Sequence, residues 1–282
     1  MSTAAAIAHQ PSLGTRVSMV VSDSLTITKR NVIKIKRVPD VLIFSTLSPI
    51  MFVLLFAYIF GTAIEVPGLS GGYREFLIAG IFAQTSVFGA TFTGLSLAED
   101  MQKGIIDRFR SLPMASVAVL IGRTAADVVI NVVSLVVMSL TGLIVGWRIR
   151  GSLLDAVLAY VLLLLFAYAI SWIMAVVGLI VRAPEVFNNA SFMVIFPLTF
   201  LANTFVPLNK LPGPLQVFAE WNPVSAVTEA TRQLFGNTSP AVPTPDAWPM
   251  QHPVLTTLIW VVAILVVFVP LAVRQFKRSV SR

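Results

Sequence analysis

The chain has 282 residues, of which 56% are hydrophobic and only 12% charged, and its mean hydropathy is +0.86. Soluble domains are about 45–50% apolar and about 25% charged, so this composition leaves too few polar side chains to cover a water-facing surface. These values predict an integral membrane protein and exclude a disordered chain, a coiled coil and a secreted disulfide scaffold. The absence of cysteine also excludes thiolate nucleophiles and cysteine-based metal sites.

Residues 1–40 are predicted to form a cytoplasmic tail and an amphipathic helix at the membrane surface. The helix carries an apolar stripe at helical spacing, made of Val17, Val20, Val21, Leu25, Val32 and Ile35. Lys29, Arg30, Lys34 and Arg37 avoid that stripe, which suits a helix lying in the headgroup layer with its cations against anionic lipid. The alternative is a solvated basic arm that only enforces orientation. We expect no cleavable signal peptide, because the segment lacks an apolar core.

Six segments have the length and composition of transmembrane helices. A hydrocarbon core of about 30 Å needs roughly 20 apolar helical residues, and continuous apolar runs do not fit the alternating strands of a membrane barrel. The transmembrane domain is predicted at residues 41–273, with spans at about 41–60, 76–98, 117–146, 153–181, 186–206 and 254–273. Residues 274–282 are predicted to be a basic cytoplasmic tail.

The distribution of Lys and Arg predicts the orientation of these spans. Fifteen of the 20 basic residues lie before span one, after span six, in the connections after spans two and four, or, for Arg123, near the cytoplasmic end of span three; five lie on the opposite side. The positive-inside rule therefore places both termini in the cytoplasm. The net charge of +7 is explained by this topology, so no nucleic acid partner is expected.

The connection between spans two and three, residues 99–115, is the most charged stretch of the chain. Its apolar side chains recur at helical spacing between Gly104 and Pro113: Ile105, Ile106, Phe109 and Leu112. This pattern predicts a short amphipathic helix on the cytoplasmic side. The apolar stripe favours a surface for a partner, and packing against the chain's own bundle is the alternative.

The external connection at residues 207–253 is rich in proline and apolar residues in its first half. Asn222 and Pro223 have the positions of an N-cap and a first helical residue, Glu229 and Arg232 follow three residues apart, and Gly236 ends the helix. The pattern favours a broken helical hairpin that enters the outer leaflet, where protein covers its broken backbone. A plain extracellular cap is the alternative.

The sequence lacks the residues that would let this chain drive transport by itself. It contains only two histidines, no P-loop and no nucleophile elbow. Asp127, four residues after Arg123, is predicted to pair with it on one helical face, and a proton relay is the alternative. This combination predicts a permease driven by another subunit. An ion-coupled carrier and a scaffolding membrane subunit are the competing hypotheses.

Three stretches resemble the ABC-2 type exporter permeases, most closely the daunorubicin-resistance-type multidrug and lipid exporters of bacteria. These stretches are residues 28–61, 99–115 and 211–236. The second follows the family pattern of an acidic residue, a glycine and an apolar helix ending before proline, filled by Glu99, Gly104, Ile105, Phe109 and Pro113. The third contains the family's N-P dipeptide and E-A-x-R run, filled by Asn222, Pro223, Glu229 and Arg232.

The resemblance implies an all-α, six-span permease fold of the type V exporter class in the bacterial plasma membrane. It implies a dimer with itself or a paralogue, standing on two ATPase subunits that bind ATP and Mg²⁺, with no enzyme activity and no cofactor in this chain. The N-terminal helix and the loop after span two would contact the ATPases. The loop residues implied in this contact are Glu99, Gly104, Ile105, Arg108 and Phe109.

The resemblance also implies an export pathway between spans two and five for hydrophobic drugs or lipids. The residues expected there are Phe82, Gln84, Thr85, Phe88, Phe92, Phe192, Phe196, Phe200 and Asn203. A cavity lined by aromatic side chains with a few amides suits an apolar amphiphile. The alternative is that these phenylalanine side chains simply face lipid, as they often do in membrane proteins. A polysaccharide or glycolipid exporter is the alternative, made less favourable because no aromatic row occurs near the external mouth.

The basic-residue count makes the topology testable. A reporter that is active only in the periplasm, fused after Arg282, should be inactive, because the C-terminus is expected on the cytoplasmic side. The matched fusion within the external loop, after Asn237, should be active. Activity of the reporter after Arg282 would contradict the predicted orientation.

Overall fold

The computed structural model describes residues 13–37, 40–61, 68–69, 71–106, 116–181, 183–239, 241 and 245–278. Within these residues the regular secondary structure consists of helices, without strands, as predicted. The helices are α1 (Leu13–Arg37), α2 (Asp40–Leu55, continued by a π-helical turn at Phe56–Phe60), α3 (Tyr73–Gly89), α4 (Thr91–Gln102), α5 (Ser116–Val145), α6 (Leu153–Ile180), α7 (Pro184–Phe200), α8 (Gly213–Trp221), α9 (Pro223–Phe235), α10 (Trp248–Gln251) and α11 (Pro253–Arg278).

Four helical stretches of the described chain are long and apolar enough to cross a membrane. They are Tyr73–Gln102, formed by α3 and α4 together, Val117–Val145, Leu153–Ile180 and Pro253–Arg278. A shorter apolar helix, Thr46–Ile59, belongs to α2. The segment predicted as span five is the 17-residue helix α7 followed by an irregular stretch at residues 201–207. We call the end of the bundle that carries α1 the inner end, and the end that carries α8 to α10 the outer end.

Helix α6 is the centre of the bundle and packs against α3, α4, α5, α7, α9 and α11. It begins at Ser152, whose hydroxyl accepts a hydrogen bond from the backbone N–H of Asp155 at 3.1 Å. Its buried face includes Phe166 and Trp172 among a row of small and apolar side chains. Because apolar side chains surround it, α6 satisfies its polar backbone within its own helix.

Close backbone contact joins α4 to α6. A side chain on Gly178 would overlap the carbonyl oxygen of Gly94, and one on Gly94 would overlap the carbonyl oxygen of Met174 and the ring of Phe187. Span two therefore associates with α6 through a small residue at Gly94, where a larger side chain would not fit. Gly142 of α5 is also buried against protein, beside the ring of Trp147.

Helix α1 packs along α5 at the inner end. Ser24, Ile27 and Asn31 are buried on α1, and a Cβ on Gly122 of α5 would lie only 2.7 Å from Ile27. Val21 and Leu25 of the predicted apolar stripe are 52% and 64% exposed. Helix α1 therefore holds the bundle with a small polar face that sequence reasoning missed, while its exposed apolar side chains suit a lipid interface.

The Gly94–Gly178 contact predicts a stability effect. Gly178→Ala should destabilise the protein by about 1–3 kcal/mol, since an overpacked contact against backbone relaxes poorly. The measurement is the apparent melting temperature in detergent. Gly213→Ala is the matched control, because nothing lies within 4 Å of its Cβ position, and it should change stability by less than about 0.5 kcal/mol. Equal stability of both variants would show that the two backbones do not meet.

Candidate functional site

A cavity of about 350 Å³ lies between α2, α3, α4, α5 and α7. Seven of the residues predicted for the export pathway line it: Gln84, Thr85, Phe88, Phe92, Phe192, Phe196 and Phe200. The structure adds residues that sequence reasoning did not select: Ser48, Pro49, Phe52, Ile81, Gly89, Thr91 and Ser134. Most of these residues belong to no sequence motif. Ser48 and Ser134 lie in spans one and three, which were not expected to line the pathway.

Phenylalanine rings form a continuous ladder along one side of this cavity. Ring centroids are 5.1 Å apart between Phe192 and Phe196, and 4.1 Å apart between Phe196 and Phe200. The ladder continues from Phe200 through Phe205 to Phe56 at 5.0 and 4.6 Å. Phe192 and Phe196 are 56% and 40% exposed, so this ladder presents aromatic faces that no described residue covers.

Polar side chains of α3 and α5 form a second part of the lining. Thr85 is 5% exposed, and its buried hydroxyl has no hydrogen-bond partner among the described residues. Gln84 and Ser134 are also nearly buried at 4% and 3% exposed. The cavity therefore combines an aromatic surface with a few hydrogen-bonding groups, the usual composition of a small-molecule site.

Two residues predicted for the pathway lie elsewhere. Phe82 is fully buried, in edge-to-face contact with Trp147, Tyr160 and Phe235. Asn203 lies beyond the end of α7, and its Nδ2 donates to Glu229 Oε2 at 3.1 Å. A polar side chain in an apolar span needs either a hydrogen-bond partner or a water-filled space, and Asn203 has Glu229 as its hydrogen-bond partner.

The outer end is held by the buried side chain of Arg232 on α9. Its Nε donates to the carbonyl oxygen of Phe76 at 3.0 Å, and its Nη2 donates to that of Asn203 at 2.5 Å. Its Nη1 lies 3.2 Å from Glu229 Oε2, and its guanidinium stacks 3.6 Å from the centre of the Phe76 ring. One arginine thus joins α3, the end of α7 and α9.

Helix α9 begins and ends where the sequence predicted. Asn222 is the N-cap of α9, with its Oδ1 accepting from the N–H of Val224 at 2.9 Å, and Pro223 is the first helical residue. Gly236 ends the helix in the left-handed conformation, at φ +71°. The Asn222 side chain also donates to the carbonyl oxygen of Leu198 at 2.7 Å, which ties the hairpin to α7.

A second ion pair of the outer end joins Glu75 to Arg150, with Arg150 Nη2 2.6 Å from Glu75 Oε1. Glu75 is fully buried, and hydrogen bonding to its carboxylate raises the pKa of Arg150. Nearby, Trp147 Nε1 donates to Asn237 Oδ1 at 2.7 Å. Sequence reasoning missed this cluster, because its members lie far apart in the chain.

The inner end contains a buried polar cluster between α4 and α5. Arg123 forms its ion pair with Asp100 of α4, and Asp127 accepts a hydrogen bond from Thr93. The predicted pairing of Arg123 with Asp127 is therefore wrong, because α4 brings a closer carboxylate to the arginine. Asn131 Nδ2 donates to the carbonyl oxygen of Asp127 at 3.1 Å.

The segment predicted to contact an ATPase begins at the end of α4. Glu99 Oε2 lies 3.5 Å from Lys103 Nζ, and Gly104 adopts a positive φ of +63°. Ile105 and Ile106 are helical again. Ile106 is 2% exposed and is buried in an apolar cluster with residues of α1, α4, α5, α6 and α11. Arg108 and Phe109 lie outside the described residues.

Comparisons with known proteins agree with this architecture. The family profile described as ABC-2 type transporter matches residues 23–235. The chain is 36% identical over 219 residues to a daunorubicin resistance ABC transporter permease protein of Streptomyces coeruleorubidus, covering 78% of this chain and 77% of the relative. It is 26% identical over 232 residues to a probable doxorubicin resistance ABC transporter permease protein of Mycobacterium tuberculosis, with 82% and 80% covered. It is also 24% identical over 221 residues to a putative transport permease of Cyanophora paradoxa, with 78% and 76% covered.

The bonds of Arg232 predict a large effect of its removal. Arg232→Met should lower stability by about 3–5 kcal/mol, because three backbone carbonyls lose a donor and the Glu229 carboxylate loses its counter-ion. Gln233→Met is the matched control on the same helix, since Gln233 is exposed. Thermal unfolding in detergent measures both. Adding Glu229→Gln to Arg232→Met should restore part of the loss, and equal stability of Arg232→Met and the control would contradict the anchoring role.

Proposed function

Because the chain belongs to the ABC-2 type transporter family, in which it is the membrane-spanning permease component, we propose that it exports hydrophobic drugs or lipids. The observation that carries this proposal is the cavity with its uncovered phenylalanine ladder and few polar groups. Its named relatives include permeases for daunorubicin and doxorubicin resistance, which supports a drug as the cargo.

We further propose that the chain crosses the bacterial plasma membrane six times with both termini in the cytoplasm. Helices α2 and α7 would supply the two spans beyond the four long apolar stretches. Helix α2 with its π-helical turn covers residues 40–60, and α7 with the irregular stretch after it covers residues 184–207. The Lys and Arg distribution supports this arrangement.

An ABC permease works with an ATPase, and we propose two ATPase copies and a second permease, either another copy of this chain or a paralogue. ATP and Mg²⁺ would bind the ATPases. The contact would be made by α1 and by residues 99–115, including Arg108 and Phe109. The burial of Ile106 supports a role in coupling, because Ile106 packs in an apolar cluster with residues of five helices and a displacement of this segment would be felt by all of them.

The hairpin of α8 and α9 is proposed to enter the outer leaflet. Helix α8 exposes Leu215, Val217, Phe218 and Trp221, a surface that suits lipid more than water. Its broken backbone at Asn222 is covered by α7, as a non-helical backbone at membrane depth requires.

The contrast between Gln84 and Asn203 tests the export pathway. In the chain assembled with its ATPase, Gln84→Leu should change which amphiphiles stimulate ATP hydrolysis, because Gln84 lines the cavity. Asn203→Leu should lower thermal stability and reduce stimulation by all of them alike, because it removes a hydrogen bond to Glu229. ATP hydrolysis and transport into vesicles are measured with several fluorescent amphiphiles.

Two results would contradict the proposal. An unaltered substrate profile in Gln84→Leu would remove the cavity from the pathway. Failure of the chain to associate with any P-loop ATPase in its native membrane would remove the export function itself.

A further inference from the structure

We propose that the cavity selects amphiphiles in their uncharged form, and that Thr85, Gln84 and Ser134 recognise the polar group of the ligand. This inference rests on the proposed export function and adds the chemical form in which a substrate is bound. It assigns a specificity role to Ser134 of α5.

The first observation is the unfilled hydrogen-bonding capacity of the cavity. The hydroxyl of Thr85 is buried and unpartnered among the described residues, and Thr85 belongs to the lining. A buried hydroxyl without a partner is unfavourable, and a ligand that donates to it or accepts from it recovers the loss. Gln84 on the same helix and Ser134 on α5 extend this polar lining.

The second observation concerns charge. Along the described chain, the residues lining the cavity include no Asp, Glu, Lys or Arg. Asp127, on the same face of α5 as Ser134, already accepts a hydrogen bond from Thr93, and Asp100 of α4 already pairs with Arg123. A charged ligand would therefore leave water without meeting a counter-ion. The phenylalanine faces attract a cation, but this attraction recovers only a small part of the hydration that is lost.

The third observation is the shape of the apolar surface. The rings of Phe192, Phe196 and Phe200 are inclined to their neighbours by only 30° and 27°, so they form one nearly continuous aromatic face. The volume of about 350 Å³ is at the small end of the range for ligand sites. These features favour a single compact molecule with an apolar ring system and one hydrogen-bonding edge. A lipid acyl chain would leave the polar lining unused.

The experiment compares three fluorescent probes that share one anthracene ring system and differ in the group at its 9-position. They are 9-anthracenemethanol, which is uncharged and has a hydroxyl, 9-methylanthracene, which lacks it, and anthracenylmethyl-trimethylammonium, which carries a permanent charge. Binding to the purified full-length chain in lipid nanodiscs is measured by fluorescence anisotropy, with empty nanodiscs correcting for partition into lipid. The alcohol should bind at least about tenfold more tightly than the ammonium probe.

A pair of variants assigns the polar contact. Thr85→Val keeps the shape of the side chain and removes the hydroxyl, so it should weaken binding of the alcohol roughly three- to tenfold and leave 9-methylanthracene unchanged. Thr228→Val is the matched control, because Thr228 is also buried with an unpartnered hydroxyl but lies outside the cavity lining. It should change the binding of none of the probes.

The outcomes separate this inference from the export function. Equal or tighter binding of the ammonium probe, or no binding of any probe, would overturn the inference. If the alcohol binds selectively but neither stimulates ATP hydrolysis nor is transported by the chain with its ATPase, the selectivity holds and the export function fails. If alcohol and ammonium are exported equally well, the export function holds and the selectivity fails.

Discussion

The structure depends on how the carbonyl groups beyond the last turn of α7 are satisfied. Helix α7 ends at Phe200, and the chain then runs through buried residues without regular structure. Unpaired backbone groups are costly where no water is present, so this stretch needs donors from elsewhere. Arg232 supplies them, by donating to the carbonyl oxygens of Asn203 and Thr204 as well as Phe76. The short length of α7 is therefore possible only because α9 lies beside it.

The same requirement explains the polar residues of α9 and of its N-cap. Asn222 caps α9 with one side-chain atom and binds the carbonyl oxygen of Leu198 with another, so a single residue serves both helices. Glu229 balances the charge of Arg232 and accepts from Asn203. Asn222, Glu229 and Arg232 are thus all bonded within the protein. The polar side chains of the cavity differ, because the Thr85 hydroxyl has no such commitment in the described chain.

Composition and periodicity were sufficient to predict the helical membrane fold and the local signals at Asn222, Pro223 and Gly236, because these depend on neighbours in sequence. The facing of α3 and α7 came from family resemblance, and it placed seven residues around one cavity. The partners of Arg232, Glu75 and Arg123 could not be predicted in the same way. Their contacts join helices that are far apart in sequence, and several carboxylates or carbonyls would have satisfied the spacing rules equally well. For the same reason the sequence did not show that Asn203 bonds a neighbouring helix and does not line the cavity.

The charged contacts and the cavity lie in different parts of the bundle, and this separation matters for transport. The inner end has a buried ion pair between α4 and α5, and the outer end has Arg232 bound to three segments, so both ends are held by charged contacts. The cavity between them is bounded by phenylalanine rings and side chains without such bonds. Contacts between apolar side chains are non-directional, whereas a buried ion pair loses much of its energy when its geometry changes. Relative movements of the helices therefore meet the least resistance at the cavity, which is where the proposed export requires a change of shape.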